Sequence, residues 1–274
     1  MYEYATVLDI SINDNLINTP LIFNLMEKFK FSAIALLLVL LGSCSSGNQQ
    51  NEQVNAPAKT KDAIVGVVED VLTKAQQDAL TPDMVIQSLK EGNERYIRND
   101  LTARNHSAQV RKSVLAQYPK AIVLSCVDSR VPVEDVFDRG IGDIFVARVA
   151  GNFVNEDILG SMEFACKVSG SKLVFVLGHE HCGAVKAAVD NVKLGNITPM
   201  LTKIRPAVES IKYEGDRTSK NQEFVHIASI SNVKNTIEKI RTDSPILKEM
   251  EDNGEIKIIG GLYDMDNGRV DFLN

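Results

Sequence analysis

The sequence has no tryptophan, four cysteines, four histidines and no run of lysine and arginine. Each shortage narrows the reading. With a formal charge of -6 and no basic patch, a nucleic-acid partner is excluded. The apolar run from Phe31 to Leu41, broken at Ser32, falls short of the ~20 residues of a spanning helix. No internal repeat is visible. What remains is a chain of 274 residues, 44% hydrophobic and 24% charged, with the composition of a soluble globular protein. That length suffices for one large domain with a substantial core.

The N-terminus is expected to lie outside that domain. Lys28 and Lys30 precede the Phe31–Leu41 run, the charged-then-apolar layout of a secretory signal. The run ends Leu41-Gly42-Ser43-Cys44, which resembles a bacterial lipobox, with Cys44 lipidated and first in the mature chain. Residues 1–25 carry Glu3, Asp9 and Asp14 and no basic residue, the wrong sign for a signal's start. Met26 is therefore the expected initiator, with 1–25 an over-extended start and 26–43 the signal peptide. Residues 44–62 read as a lipidated cysteine on a flexible tether, and 63–274 as the folded domain. The expected location is an exported bacterial lipoprotein, held at a membrane through Cys44 in the periplasm or at the cell surface.

The folded part alternates strands and helices. Thr81-Pro82-Asp83 starts a helix reaching about Ile97, and a second runs from about His106 to Gln117. Apolar runs at 121–125, 143–148 and 172–177 read as strands buried on both faces. Helices are expected over 156–168, 183–192, near 199–213 and over 221–241. Strands 255–259 and 269–273 flank the turn signal Asn267-Gly268. This predicts an α/β fold, a mainly parallel central sheet flanked by helices, with an antiparallel edge strand or hairpin at the C-terminus.

Three short stretches carry chemistry: Cys126-Val-Asp-Ser-Arg130, His179-Glu-His-Cys182, and Gly183. The first two each follow a predicted strand, at the sheet edge where open α/β folds bind ligands, and Gly183 opens a helix. Cys126, Cys182 and His179 would hold zinc and leave its fourth position open. His181 competes as a ligand, but it adjoins Cys182 and its side chain should diverge. A structural disulfide between Cys126 and Cys182 is the alternative, and it leaves the adjoining His and Asp unexplained. Cys166 reads as a small buried hydrophobe, and His106 and His226 as ordinary histidines. Two thiolates neutralise the metal's charge, so activating water near pH 7 needs help. Asp128 can accept a hydrogen bond from that water, and Arg130 can hold Asp128 ionised and aimed.

In this order and setting the motifs resemble the β-class carbonic anhydrases. Cys126-Val-Asp-Ser-Arg130, Gly178-His179 and Cys182-Gly183-Ala184 match that family's zinc motifs. Gly92-Asn-Glu-Arg-Tyr96, Asn232-Val233 and Gly261-Leu-Tyr-Asp264 are similar too, and the likeness runs from about Thr81 to the end. It implies one zinc ion per subunit on Cys126, His179 and Cys182, beside Asp128 and Arg130. It also implies reversible hydration of carbon dioxide to bicarbonate and a proton by zinc-bound hydroxide. Gln117 matches a substrate-contacting glutamine, Phe145 a pocket aromatic, and Gly183 the glycine whose amide faces substrate. Members are dimers or multiples of dimers with pockets at the interface, which lets Gln117 serve the neighbour's zinc.

Two segments depart from the pattern. Phe164 stands where many members have tyrosine, and Arg148-Val-Ala-Gly-Asn152 replaces the usual Arg-Asn-Val-Ala-Asn. Neither is expected to touch a zinc ligand. Val123 occupies the position of a tryptophan that some members use in a regulatory bicarbonate site. The expected mechanism holds carbon dioxide against Phe145 and Phe164, with Gln117 and the Gly183 amide orienting its oxygens. Release of Asp128 from Arg130 would let its carboxylate take the fourth position and shut the site. Competing readings are a carbonyl sulfide or carbon disulfide hydrolase on the same scaffold, a non-catalytic zinc protein, and a disulfide-stabilised module without metal.

Overall fold

The computed structural model describes residues 66–273. The signal region 1–43, Cys44 and the tether 44–62 lie outside the described residues. In chain order the elements are α1 (Lys74–Asp78), α2 (Pro82–Ile97), α3 (His106–Lys112), β1 (Ala121–Ser125), α4 (Val133–Val136) and β2 (Ile144–Arg148). Then come α5 (Glu156–Glu163), β3 (Leu173–His179), α6 (Gly183–Val189), α7 (Ile197–Leu201) and α8 (Arg205–Glu209). Last are α9 (Gln222–Asp243), α10 (Pro245–Asp252), β4 (Lys257–Tyr263) and β5 (Val270–Leu273).

The strands form one sheet in the order β2-β1-β3-β4-β5. The first four are parallel, and β5 returns antiparallel to β4. β1 and β3 are buried along their whole length, as continuous apolar runs require in a sheet covered on both faces. One face carries Ile122, Leu124, Val174, Val176 and Ile258 under Val233, Ile237 and Ile240 of α9 and Met162. The other carries Ala121, Val123, Leu173, Phe175 and Leu177 under Val85 and Leu89 of α2 and Phe137. Full burial of each Val, Leu, Ile, Phe or Met side chain among these contributes roughly 1.5–3 kcal/mol.

The segment Gly92–Tyr96 is explained by how α2 docks. A Cβ at Gly92 would lie 1.9 Å from the Phe137 carbonyl oxygen. Buried Asn93 donates to the Val136 and Gly268 carbonyls and accepts from the Val270 amide. Arg95, with Arg104 and Thr102, donates to the fully buried carboxylate of Asp138. Tyr96 meets the Tyr263 hydroxyl at 3.2 Å. One helical turn thus ties α2 to the α4 segment and to the β4–β5 hairpin.

Several expected boundaries shift. α3 stops at Lys112 rather than Gln117, where the Ser113 hydroxyl takes the Val110 carbonyl. The helix over 156–168 widens after Glu163, with the Ser169 amide bonded to the Phe164 carbonyl five residues back. The region 199–213 holds two short helices, because Pro206 in the first turn of α8 cannot continue an earlier one. The expected 183–192 helix ends at Val189. β4 begins at Lys257 and runs on through Gly260-Gly261 to Tyr263, past the expected end at Ile259. β3 extends to His179, paired with Tyr263. At Gly178 an added Cβ would lie 2.5 Å from Val233 Cγ2, so this glycine lets α9 settle onto the sheet. The helices α1, α4 and α10 have no counterpart among the expected elements.

Candidate metal centre

β1 and β3 are neighbours with Ser125 opposite Leu177, so Cys126 emerges beside Gly178 and His179. The chain then turns through Glu180 and His181, the latter at φ 55°, and Cys182 caps the N-terminus of α6. Cys126, His179 and Cys182 are all buried, and their donor atoms lie within 4.8 Å of one another. The two sulfurs are 4.0 Å apart and unbonded, which sets aside the disulfide alternative.

The donor set fits zinc. Tetrahedral ligation with Zn–S near 2.3 Å separates two sulfurs by about 3.8 Å. His179 Nδ1 donates to the Glu180 carbonyl at 2.8 Å, since a carbonyl only accepts. Nε2 is then the bare nitrogen, buried and without a hydrogen-bond partner. The thiols titrate as a pair. The Cys182 thiol pulls that of Cys126 down, against burial, with smaller help from His179 and the Gly151 amide. Cys182 is pushed up by the same partnership and by burial. Without a cation the buried pair keeps a proton; a divalent ion lets both ionise.

Asp128 flanks this centre. Its Oδ2 is 3.9 Å from His179 Nε2. Arg130 grips it through Nε to Oδ1 at 3.0 Å and Nη2 to Oδ2 at 2.8 Å, with the Arg130 amide adding a third bond. These bonds hold the Asp128 carboxyl well below the usual carboxylate range. Gly183 is exposed beside Cys182, with nothing within 4 Å of a Cβ built on it.

Two supports were not read from the sequence. Arg148 donates to the carbonyls of Cys126 at 3.1 Å, Asp128 at 3.3 Å and Val131 at 2.5 Å, so one guanidinium shapes the whole loop after β1. The Gly151 amide donates to Cys126 Sγ at 3.4 Å, and buried Asn232 holds the Gly151 carbonyl at 2.7 Å. The 148–152 segment therefore does touch a ligand, contrary to the expectation above. His226, expected to be ordinary, bonds Glu180. Cys166 is buried as expected, and burial pushes its thiol up to about 12.

The remaining candidates lie elsewhere within one chain. Gln117 is exposed ahead of β1, at the strand end opposite Cys126. Phe145 pairs with Ile122 near the start of β1, and its ring meets that of Phe164 at 6.3 Å. The two rings line an open groove along the edge strand β2, and Phe164 is 52% exposed. A single chain thus assembles the metal donors, Asp128 and Arg130, but not Gln117, Phe145 and Phe164 around them.

Comparison with known proteins agrees with this geometry. The carbonic anhydrase family profile matches residues 121–270. Carbonic anhydrase 2 of Mycobacterium tuberculosis is 34% identical over 190 residues, covering 67% of this chain and 89% of that protein. The carbonic anhydrase of Mycolicibacterium smegmatis is 32% identical over 191 residues, covering 68% and 90%. Among solved structures, the β-carbonic anhydrase CafA of Aspergillus fumigatus superposes with a TM-score of 0.53 at 25% identity, covering 70% and 90%. A tetrameric β-carbonic anhydrase of Sordaria macrospora gives 0.52 at 23%, covering 60% and 85%, a likeness of fold. With the Cys126–His179–Cys182 cluster at the edge of such a sheet, this chain belongs to the carbonic anhydrase family, in its β class.

Proposed function

We propose that this protein catalyses the reversible hydration of carbon dioxide to bicarbonate and a proton, with one zinc ion per subunit on Cys126, His179 and Cys182. The observation that supports this most is the buried, unpartnered Nε2 of His179 facing two thiols, with Asp128 at the rim. The chemistry zinc supplies when bound is Lewis acidity, which makes a water acidic enough to yield a nucleophile near neutral pH.

The chain's own residues do the rest. Asp128, kept ionised by Arg130, accepts a hydrogen bond from the attacking oxygen and aims its lone pair at the substrate carbon. Arg130 limits the carboxylate to that one orientation. The Gly183 amide, at the start of α6, would donate to a substrate oxygen. The apolar wall comes from a second copy of the chain. Its Gln117, Phe145 and Phe164 sit on an exposed edge and would close over the neighbour's metal centre, orienting carbon dioxide and excluding water. The working form is therefore a homodimer or a multiple of dimers. Cys44 carries the lipid that anchors the protein to a membrane, in the periplasm or at the cell surface, and Cys44→Ser would release it into the soluble fraction.

The test is stopped-flow carbon dioxide hydration at pH 8.5 on protein beginning after Cys44, with zinc measured on the same batch. Fast turnover that disappears with a chelator and returns with zinc is expected. Full zinc without turnover would overturn the assignment and turn attention to the sulfur analogues of carbon dioxide.

A further inference from the structure

We infer that His226 is a positioning residue for the metal centre, acting through Glu180 on the ligand His179; the inference rests on the zinc reading above. Three bonds converge on Glu180. Its amide donates to the Tyr263 carbonyl at 3.0 Å. Its carbonyl accepts from His179 Nδ1 at 2.8 Å. Its side-chain Oε1 accepts from His226 Nδ1 at 2.9 Å, since a carboxylate oxygen only accepts.

The placement gives these bonds leverage. Glu180 and His181 are the two residues between the ligands His179 and Cys182, and His181 is in the left-handed region. A tilt of the Glu180 peptide moves the acceptor that fixes the tautomer and ring plane of His179. It also moves Cys182, at the far end of the same turn. β4 fixes the amide side of that residue through Tyr263. α9 reaches over the turn and fixes the side chain through His226, near its first turn. The Glu180–His226 pair thus links the helix that covers the sheet to the one imidazole of the metal site.

The opposing view is that this is a surface pair of little consequence, as exposed ion pairs usually are. Side-chain exposure is 45% for His226 and 23% for Glu180. The two views differ in what they predict for metal binding. A residue bonded directly to a metal's histidine ligand typically matters about 10–100-fold in affinity. His226 stands one bond further out, so about tenfold is expected.

The experiment is chelator competition for zinc on the full domain. It compares wild type, His226→Ala, His226→Asn, Glu180→Ala and the double alanine variant, with the visible spectrum of each cobalt-substituted form. His226→Ala should release zinc about tenfold more readily and shift the cobalt bands. His226→Asn keeps a donor near the position of Nδ1 and should restore both. The double variant should be no worse than Glu180→Ala, because the two residues act in series. Unfolding temperatures of the metal-free proteins control for general damage. Wild type that binds zinc tightly with His226→Ala equal to it, or His226→Asn as poor as alanine, would overturn the inference and leave the zinc reading standing. Wild type that takes up no zinc would overturn both.

Discussion

Asp128 Oδ2 stands 3.9 Å from His179 Nε2, while both Asp128 oxygens are held by Arg130. The carboxylate is close enough to reach a group in the metal's open position and is restrained from occupying it. Asp128→Asn should therefore lower kcat/KM by roughly 10²-fold or more, with zinc content unchanged. Arg130→Gln is different in kind. Its loss lets the Asp128 carboxyl rise toward its ordinary value near 3.9, still ionised at pH 8.5. A loss larger than that of Asp128→Asn is expected, because the freed carboxylate can then take the open position and shut the site. Steady-state rates on zinc-matched samples decide; equal losses would contradict this division of roles.

Gln117 lies at the strand end away from its chain's own metal donors. Mixed dimers of Gln117→Ala with Cys182→Ser should then regain activity that neither parent has. The zinc-bearing subunit receives Gln117 from its partner. If each chain used its own glutamine, the mixture would stay inactive.

Arg148 donates to three carbonyls between Cys126 and Val131. Arg148→Ala should destabilise the protein by about 2–3 kcal/mol, because the carbonyls it leaves are partly buried. Arg148→Lys should recover little, since an ammonium is a point donor that cannot span the loop. Denaturant midpoints and zinc retention measure both effects.

Asp138 gives the stability its acid limb. Burial raises its carboxyl, but Arg104, Thr102 and Arg95 together outweigh that and hold it at about 2. A folded pKa below the unfolded one stabilises the protein above the unfolded value, near 3.9. That contribution is lost as pH falls from about 4 toward 2. Asp138→Asn should cost about 3 kcal/mol at pH 7 and flatten the fall below pH 4. Urea midpoints from pH 2.5 to 7 test it.

The sequence alone determined the sheet class and the donors. β1 and β3 were legible because each is an unbroken apolar run that only a strand buried on both faces accommodates. Cys126, His179, Cys182, Asp128 and Arg130 were legible because thiols, imidazole and an acid–base pair at strand ends have a chemical reading at short range. β4 outran its expected end at Ile259 because Gly260 lies where Val233 of α9 presses close, a contact that local sequence does not reveal. Tertiary structure alone decided the supports. Arg148, Gly151 and Asn232 come from β2, the loop after it and α9, and each acts through a backbone carbonyl or amide. Such contacts leave no side-chain motif, because the partner group is the same in every residue. The parallel order β2-β1-β3 likewise placed Gln117 and Phe145 near one end of the sheet and the metal donors at the other, a separation that follows from strand direction rather than from spacing along the chain.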